Sequence, residues 1–427
     1  MARFPVGAAA AVVWVGCLLV ALVASGSGHP AGDQTGQIAF DSVNARLDDS
    51  VGEEGCPWAC NVEVMNADGS GRRVVGRGFL PAWSPDGSRL AYWAPWNLKL
   101  ADSSTSRLVA LDLRTGKREQ FLRVAEPEAA PAWSPDGSQL AFVAPHGRKP
   151  LVGLVSVKDG RFTRLASPAS HSYGRYYYTS AAPSPVAWSP DGRSIVYTDA
   201  SGELASVPTT GGSPSVLISN AALAAAAATV CRPGGMCSQL NPAFSPDGSM
   251  IAFNLNGDWG QNLWLANGDG SDPRHFPPTG NTGSKTGRPS WSSDGSQIAF
   301  AETGDPCGFG YPICVALSFP CSQSACAGPA IMRILVNSGT TEQLNQPTGA
   351  PGGWPMDEHP AWSPDGRWLV FDRSGIPQGG IPGEGIWRIR DDGTCLKRIA
   401  GDHGATRDSP SDPVWRPSGG SPTDACS

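Results

Sequence analysis

The chain has 427 residues, of which only 16% are charged, and its formal net charge is −6. This mildly acidic balance, without any run of basic residues, argues against nucleic acid as a partner. The 40% share of apolar residues argues against intrinsic disorder, and the 53 glycines and 39 prolines argue against a helical bundle. The composition therefore favours a large, turn-rich, all-β protein.

The N-terminal residues have the pattern of an export signal. Residues 7–24 carry no charge, Arg3 precedes them, and small residues end the apolar run. We expect 1–26 to be either a signal peptide or an N-terminal membrane anchor, with 27–35 as a linker. The protein would then be exported to the periplasm, the cell envelope or the medium. It would touch a membrane only through 7–24, and only if that segment stayed uncleaved.

Ten of the 11 cysteines lie beyond this segment, and an even number is typical of disulfides in an exported protein. A zinc site made of thiolates is the alternative, but the spacings differ from those of a zinc knuckle and no histidine accompanies the pairs. We therefore expect no metal and no other cofactor. The five expected bridges join Cys56 to Cys60, Cys231 to Cys237, Cys307 to Cys314, Cys321 to Cys326 and Cys395 to Cys426.

One short phrase recurs along the chain. Clear copies are PAWSPDGSRLAYWA at 81–94 and PAWSPDGSQLAFVA at 131–144, and a degenerate copy, PVWRPSGG, lies at 413–420. Successive copies are 47 to 71 residues apart. A period of roughly 50 residues in a β-rich chain indicates a propeller or another array of blades. The aromatic anchors of the copies are Trp83, Trp133, Trp188, Phe244, Trp291, Trp362 and Trp415.

Each copy predicts two strands joined by a tight turn. In the first copy, Pro85, Asp86 and Gly87 are the residue types that a hairpin turn requires. A third alternating strand and a short fourth strand follow before the next copy, as at 62–71 and 72–76. We name these strands a, b, c and d, and four of them make one propeller blade. A large aromatic residue at the end of strand a would pack between neighbouring blades.

The two ends of the repeat region complement each other. Residues 36–43 have the pattern of strand b and 62–76 that of strands c and d, whereas 413–420 supplies a strand a. Together they would form one blade that closes a seven-bladed β-propeller and leaves no open sheet edge. Six blades is the alternative if 413–420 is not a strand. The single domain would cover 36–420, and 421–427 would be a tail.

The PAWSPDG phrase and the strand at 62–71, with its NADGSG turn, resemble the WD-like repeat of TolB-type β-propellers. A similar repeat builds the propellers of prolyl-oligopeptidase-like peptidases and of some polysaccharide lyases. The resemblance implies the fold over 36–420 but no single function. This chain differs from TolB in its many cysteines and in having no separate α/β domain before the repeats, so no Tol–Pal role is implied. It also lacks the G-x-S-x-G motif of a serine hydrolase.

The long insertions all fall in the b–c and d–a connections, which share one face of a propeller. Elaboration of one face indicates a binding surface, with neutral insertion as the alternative. On this face, the residue three positions before each anchor would lie at the mouth of the central channel. The expected polar patch there is Asn241, Arg288, His359 and Asp412, with Glu358 beside it. The expected binding residues of the loops are Tyr173, Arg175, Tyr176, Tyr177, Trp96 and Trp354.

We expect a monomeric, non-catalytic scaffold that binds a protein or a cell-wall glycan through this face. The first alternative is a polysaccharide lyase or hydrolase acting at the channel mouth, for which His359, Asp412 and Glu358 would be the metal ligands. The second is an extracellular sensor held in the membrane by 7–24. The sequence assigns no catalytic residue.

Overall fold

The structure is a computed structural model, and all of the residues it describes belong to the unit Gln34–Ser427. Met1–Asp33 form a second unit, which lies outside the described residues, as do the expected linker and tail. No helix of the described part is long and apolar enough to cross a membrane. The described residues are 36–43, 60–95, 105–125, 127, 129–146, 149–167, 185–226, 238–257, 260–276, 285–303, 330–345, 354–376, 383–401 and 411–417.

The described strands form seven antiparallel blades, as predicted. Blade 7 opens the chain with β1 (Gln37–Val43), β2 (Cys60–Asn66) and β3 (Arg73–Arg77). Blade 1 comprises β4 (Phe79–Trp83), β5 (Arg89–Pro95), β6 (Thr105–Asp112) and β7 (Arg118–Ala125). Blade 2 comprises β8 (Ala132–Trp133), β9 (Gln139–His146), β10 (Lys149–Ser156) and β11 (Phe162–Ala166). Blade 3 comprises β12 (Ala187–Trp188), β13 (Ser194–Thr198), β14 (Leu204–Pro208) and β15 (Ser215–Ile218).

A short helix, α1 (Asn220–Ala226), precedes blade 4, and the strand β20 (Lys285–Thr286) links blade 4 to blade 5. Blade 4 comprises β16 (Ser238–Phe244), β17 (Met250–Gly257), β18 (Gly260–Asn267) and β19 (Arg274–His275). Blade 5 comprises β21 (Ser290–Trp291), β22 (Gln297–Thr303), β23 (Ala330–Leu335) and β24 (Thr341–Gln343). Blade 6 comprises β25 (Trp354–Trp362), β26 (Trp368–Ile376), β27 (Gly385–Arg390) and β28 (Lys397–Ala400). The last strand, β29 (Ser411–Trp415), is strand a of blade 7.

The predicted closure of the ring is confirmed. Strand β29 pairs antiparallel with β1, with Trp415 opposite Ile38 and Ser411 opposite Asp41. Strands a of neighbouring blades also contact one another in a complete cycle, from β29 through β4, β8, β12, β16, β21 and β25 back to β29. Among the described residues, strands a therefore form a closed inner ring.

The aromatic anchors lock neighbouring blades together. The indole Nε1 of Trp133 donates a hydrogen bond to the carbonyl of Ala82, the residue before the preceding anchor. Four other anchors repeat this bond, at lengths of 2.9 to 3.2 Å: Trp83, Trp188, Trp291 and Trp362. Phe244 has no indole N–H to donate, and within the described part of the chain Trp415 Nε1 has no partner.

The recurring aspartates serve the a–b turns. Asp86 Oδ1 accepts hydrogen bonds from Ser84 Oγ at 2.5 Å and from the Ser88 amide at 3.0 Å, and Gly87 adopts a φ of 67°. These hydrogen bonds lower the pKa of Asp86 to about 2. The turn therefore accounts for the carboxylate without any role in catalysis. The equivalent aspartates with the same two hydrogen bonds are Asp136, Asp191, Asp247, Asp294 and Asp365.

The strand ends that flank the longest connections lie on one face of the ring. Residues 304–329 join strands b and c of blade 5, and 346–353 join its strand d to strand a of blade 6; both segments lie outside the described residues. In an antiparallel four-stranded sheet these two kinds of connection leave from the same end of the sheet. We call this end of the ring the connection face, and the opposite end, which carries the a–b turns, the turn face.

Two of the ten expected disulfide cysteines are described. Cys60 begins β2 and Cys395 follows the turn after β27, and each is disulfide-bonded. The expected partners of these two, and both members of the other three pairs, have no described position. The five pairings therefore stay predictions. The eight cysteines outside the described residues are Cys56, Cys231, Cys237, Cys307, Cys314, Cys321, Cys326 and Cys426.

Candidate functional site

Four of the seven mouth positions chosen from the sequence share an unusual backbone conformation. Leu80, Asn241, His359 and Asp412 all adopt a left-handed conformation, with φ between 50° and 54°. In each case the register between strands a and b shifts at this place, which marks a β-bulge. Bulges redirect side chains and recur beside functional sites. The fixed distance to the anchor thus identified one structural position that recurs in blades 1, 4, 6 and 7.

In blade 4 this position forms a neutral corner. Asn241 Nδ2 donates a hydrogen bond to Oδ1 of Asn254, which lies in strand b, at 3.0 Å. Asn254 Nδ2 in turn donates to Thr286 Oγ1 at 2.9 Å and to the Gly287 carbonyl at 3.1 Å. Both asparagines are buried. These uncharged side chains therefore close the bulge and tie blade 4 to the chain entering blade 5.

Blade 6 has the same corner with ionisable residues. His359 takes the place of Asn241, and Asp372 takes the place of Asn254, with His359 Nδ1 and Asp372 Oδ1 2.9 Å apart. Glu358 lies directly opposite Asp372 in the strand pairing. One potential ligand atom from each of Glu358, His359 and Asp372 lies within 4.8 Å of the others. A nitrogen and two carboxylates therefore converge on one small space.

Blade 7 adds two more carboxylates. Asp412 Oδ1 lies 3.8 Å from His359 Nδ1, across the junction between blades 6 and 7. Asp41, at the place in strand b that Asp372 occupies in blade 6, accepts hydrogen bonds from Ser411 Oγ at 2.6 Å and from the Leu80 amide at 2.9 Å. We define the mouth cluster as Asp41, Glu358, His359, Asp372 and Asp412.

Burial and the charges of neighbouring groups shift the pKa values of the mouth cluster. Burial raises the pKa of Asp41 to about 7, and the charges of Asp412 and Asp372 add to the shift. Burial also raises the pKa values of Glu358 and Asp372. Burial by itself would lower the pKa of His359, but the carboxylates of Asp372 and Asp412 outweigh it and raise the value to about 10. The carboxylates of Asp372, Asp412 and Glu358 thus face a single imidazole.

The neighbouring carboxylate of Asp357 has a counter-ion of its own, Arg373. Asp357, which is fully buried, accepts hydrogen bonds from Arg373 Nε at 2.5 Å and from Arg373 Nη2 at 2.6 Å. Asn345 Nδ2 donates a further hydrogen bond to Asp357 Oδ2 at 2.5 Å. This bidentate ion pair holds β25 to β26. Arg373 is therefore committed to Asp357 and is not the counter-ion of the mouth cluster.

Comparison with known families supports the repeat assignment. Residues 49–204 match the family model of the TolB beta propeller domain. This stretch carries the TolB-type repeat. The resemblance that the PAWSPDG phrase suggested is thereby confirmed over that range. A comparison with curated proteins gave no match.

Solved structures similar to this chain come from proteins of different activities. TolB from Acinetobacter baumannii is 15% identical, with 90% of this chain and 67% of that chain covered and a TM-score of 0.47. An oligogalacturonate lyase from Vibrio parahaemolyticus is 14% identical, with coverages of 76% and 77% and a TM-score of 0.51. A puromycin-hydrolyzing peptidase from Mycobacterium tuberculosis is 14% identical, with coverages of 88% and 53% and a TM-score of 0.53. At these identities the likeness shows the fold alone.

The structure unites only part of the predicted mouth patch. Glu358, His359 and Asp412 belong to one cluster, whereas Asn241 bonds within its own blade, and Arg288 is a half-buried residue before β21. Trp354 is the first residue of β25, but its side chain is not among the described parts of the structure. The other predicted loop residues lie outside the described residues: Trp96, Tyr173, Arg175, Tyr176 and Tyr177.

Sequence reasoning missed Asp41 and Asp372. Both occupy the last position of the strand-b pattern, in IAFD and LVFD, where blade 1 has Trp93 and blade 2 has Val143. Aligning the strand-b patterns of the copies would have shown that this position turns acidic only in two adjacent blades.

Proposed function

We propose that this protein is an exported, non-catalytic binding scaffold that engages its partner through the connection face. The observation that supports the proposal most directly is the mouth cluster, which concentrates five ionisable side chains on this face. On the turn face, by contrast, the carboxylates of the a–b turns are consumed by hydrogen bonds within the turns. The partner we propose is a protein or a cell-wall glycan that covers the mouth.

Export is part of the same proposal. Its support is the apolar segment 7–24 and the disulfide-bonded state of Cys60 and Cys395, which is typical of an oxidising compartment. N-terminal sequencing of the protein recovered from the host tests it. A mature chain that starts near residue 27 is the expected result, whereas recovery of the full-length chain in the cytoplasm would contradict export.

Photo-crosslinking from defined positions tests the choice of face. A photoreactive phenylalanine analogue is placed at Ser374, at the connection-face end of β26, or at Arg193 in an a–b turn, where the side chain is 87% exposed. We expect covalent adducts with protein or glycan from position 374 and none from position 193. Equal adducts from the two positions, or adducts from position 193 alone, would refute the proposal.

An enzyme acting at the mouth is the second candidate, because Glu358, His359 and Asp372 could move protons at a bound sugar. Turnover of anionic polysaccharides by the purified chain tests it. Turnover that His359→Ala abolishes, while Glu119→Gln on the outer strand β7 leaves it intact, would favour the enzyme over the scaffold.

A further inference from the structure

Blades 4 and 6 can be compared at one equivalent backbone position, the corner between strands a and b. In both blades a left-handed residue of strand a faces the last residue of strand b. Blade 4 closes this corner with two uncharged amides whose hydrogen bonds are made. The fold therefore does not require ionised groups there, and the charges of blade 6 need a different explanation.

The charges of the mouth cluster do not balance. Asp372 and Asp41 are 5% and 4% exposed, and His359, the cluster's single basic group, is 24% exposed. The groups that face His359 are Asp372, Asp412 and Glu358, and those that face Asp41 are Asp412 and Asp372. Removing several carboxylates from water with one imidazole as counter-ion is costly, so the cluster must take up either protons or a further cation.

We propose that Glu358, His359 and Asp372 bind one divalent metal ion, with Asp412 of the closing strand β29 within reach as a further ligand. The ion would lie between the imidazole nitrogen and the carboxylate oxygens, which already lie within 4.8 Å of one another. It would replace the proton that His359 Nδ1 and Asp372 Oδ1 share at 2.9 Å.

The donor set indicates the class of metal. One imidazole nitrogen with two or three carboxylates is a mixed nitrogen and oxygen site, which suits Mn²⁺ or Zn²⁺. Ca²⁺ and Mg²⁺ prefer oxygen ligands throughout, so the histidine disfavours them. The cluster contains no thiolate or thioether, which disfavours Cu⁺.

The position of the site means that a bound metal ion would connect two blades. Glu358, His359 and Asp372 belong to blade 6, whereas Asp412 belongs to the strand that closes the ring. A bound ion would join blade 6 to blade 7 beside the seam between β29 and β1. This inference goes beyond the proposed function, because it concerns the chain alone and requires no partner.

Calorimetric titration of the purified full-length chain, after removal of metals with a chelator, tests the site. We expect one Mn²⁺ or Zn²⁺ per chain, and at an ion concentration of roughly 100 times Kd a rise in Tm of about 2–5 °C. Glu358→Gln should weaken the affinity by at least about 100-fold. Glu119→Gln, a surface carboxylate beside Lys117, should leave the affinity unchanged.

The double substitution His359→Asn with Asp372→Asn rebuilds the amide corner of blade 4 in blade 6. Because that corner is already compatible with this fold, we expect the variant to fold, to be at least as stable as the metal-free parent, and to lose the metal response. Failure of both ions to bind the parent chain at millimolar concentration would overturn the site. Binding that survives in both the single and the double variant would overturn it as well. Neither result depends on crosslinking, so the proposed scaffold function can fail independently.

Discussion

Replacing Phe244 by tryptophan should stabilise the ring. Most anchors are tryptophans that donate an indole hydrogen bond to the preceding blade, whereas the phenylalanine ring of Phe244 has no N–H and cannot make this bond. In the pattern of the other blades, an indole at this position would donate to the carbonyl of Ala187, the residue before the preceding anchor Trp188. A cavity of about 310 Å³ beside Phe244, between blades 3 and 4, offers the space for the larger ring. Pro190 and Leu217 are among the residues that line it.

The size of the effect follows from two contributions. A neutral hydrogen bond adds about 0.5–1.5 kcal/mol net. Burying roughly 30 Å² more apolar surface adds about 0.8 kcal/mol at 25 cal/mol per Å². Phe244→Trp should therefore raise the free energy of unfolding by about 1–2 kcal/mol, measured by equilibrium denaturation in urea.

Trp133→Phe is the matched control, because it removes the bond that Phe244→Trp would add. It should lower the free energy of unfolding by about 1–2 kcal/mol, since it loses the hydrogen bond to Ala82 and part of the contact with Arg89 above the ring. Destabilisation by Phe244→Trp, or a Trp133→Phe variant as stable as the parent, would refute the account of the anchors as locks between blades.

Two further predictions concern the contacts of blade 7 with blades 6 and 1. The metal-free protein should lose stability as the pH rises from 5 to 9, because the folded-state pKa values of Asp41 and His359, about 7 and about 10, both lie above their ordinary values. Thermal unfolding across this range should show the decline, and Asp41→Asn should flatten the part of it that lies below about pH 7. Arg416→Ala should lower the free energy of unfolding by about 1–2 kcal/mol, since the Arg416 side chain donates to the Gly87 carbonyl at 2.8 Å and lies over Trp83. Urea denaturation measures this loss.

Each of these predictions has a contradicting result. Stability that increases between pH 5 and pH 9 in the presence of a chelator would mean that the folded cluster binds fewer protons than the unfolded chain. For the arginine, Arg193→Ala is the control, because Arg193 is 87% exposed in the turn of blade 3. Equal losses from Arg416→Ala and Arg193→Ala would show that the contact of Arg416 with blade 1 contributes nothing specific.

The fold could be predicted from the sequence because one phrase carries both the turn chemistry and the strand pattern of every blade. The closing strand could be predicted as well, since 413–420 and 36–43 are complementary fragments of the same repeat. The indole hydrogen bonds could not, because they join residues 48 to 331 positions apart in neighbouring sheets. Trp133 Nε1 reaches the Ala82 carbonyl only because blades 1 and 2 pack side by side.

The mouth cluster was only half predictable. His359 and Asp412 follow from a fixed distance to the anchors, and Glu358 follows from its neighbour. Asp372 and Asp41 come from strand b, where an acidic residue after an apolar run is typical of an ordinary strand end. The closeness of Asp372 to His359 depends on the strand pairing that places Asp372 opposite Glu358, and on the bulge at His359. No one-dimensional spacing encodes that geometry.

The antiparallel pairing of β1 with β29 also determines how the ring would respond to mechanical force. Ile38 lies opposite Trp415, and the Arg416 amide donates to the Gln37 carbonyl, so the chain enters β1 and leaves β29 at the same end of the seam. Tension between residues before 37 and residues after 416 would therefore load the hydrogen bonds one after another. The pair would peel open like a zipper, without the higher resistance of strands sheared along their length.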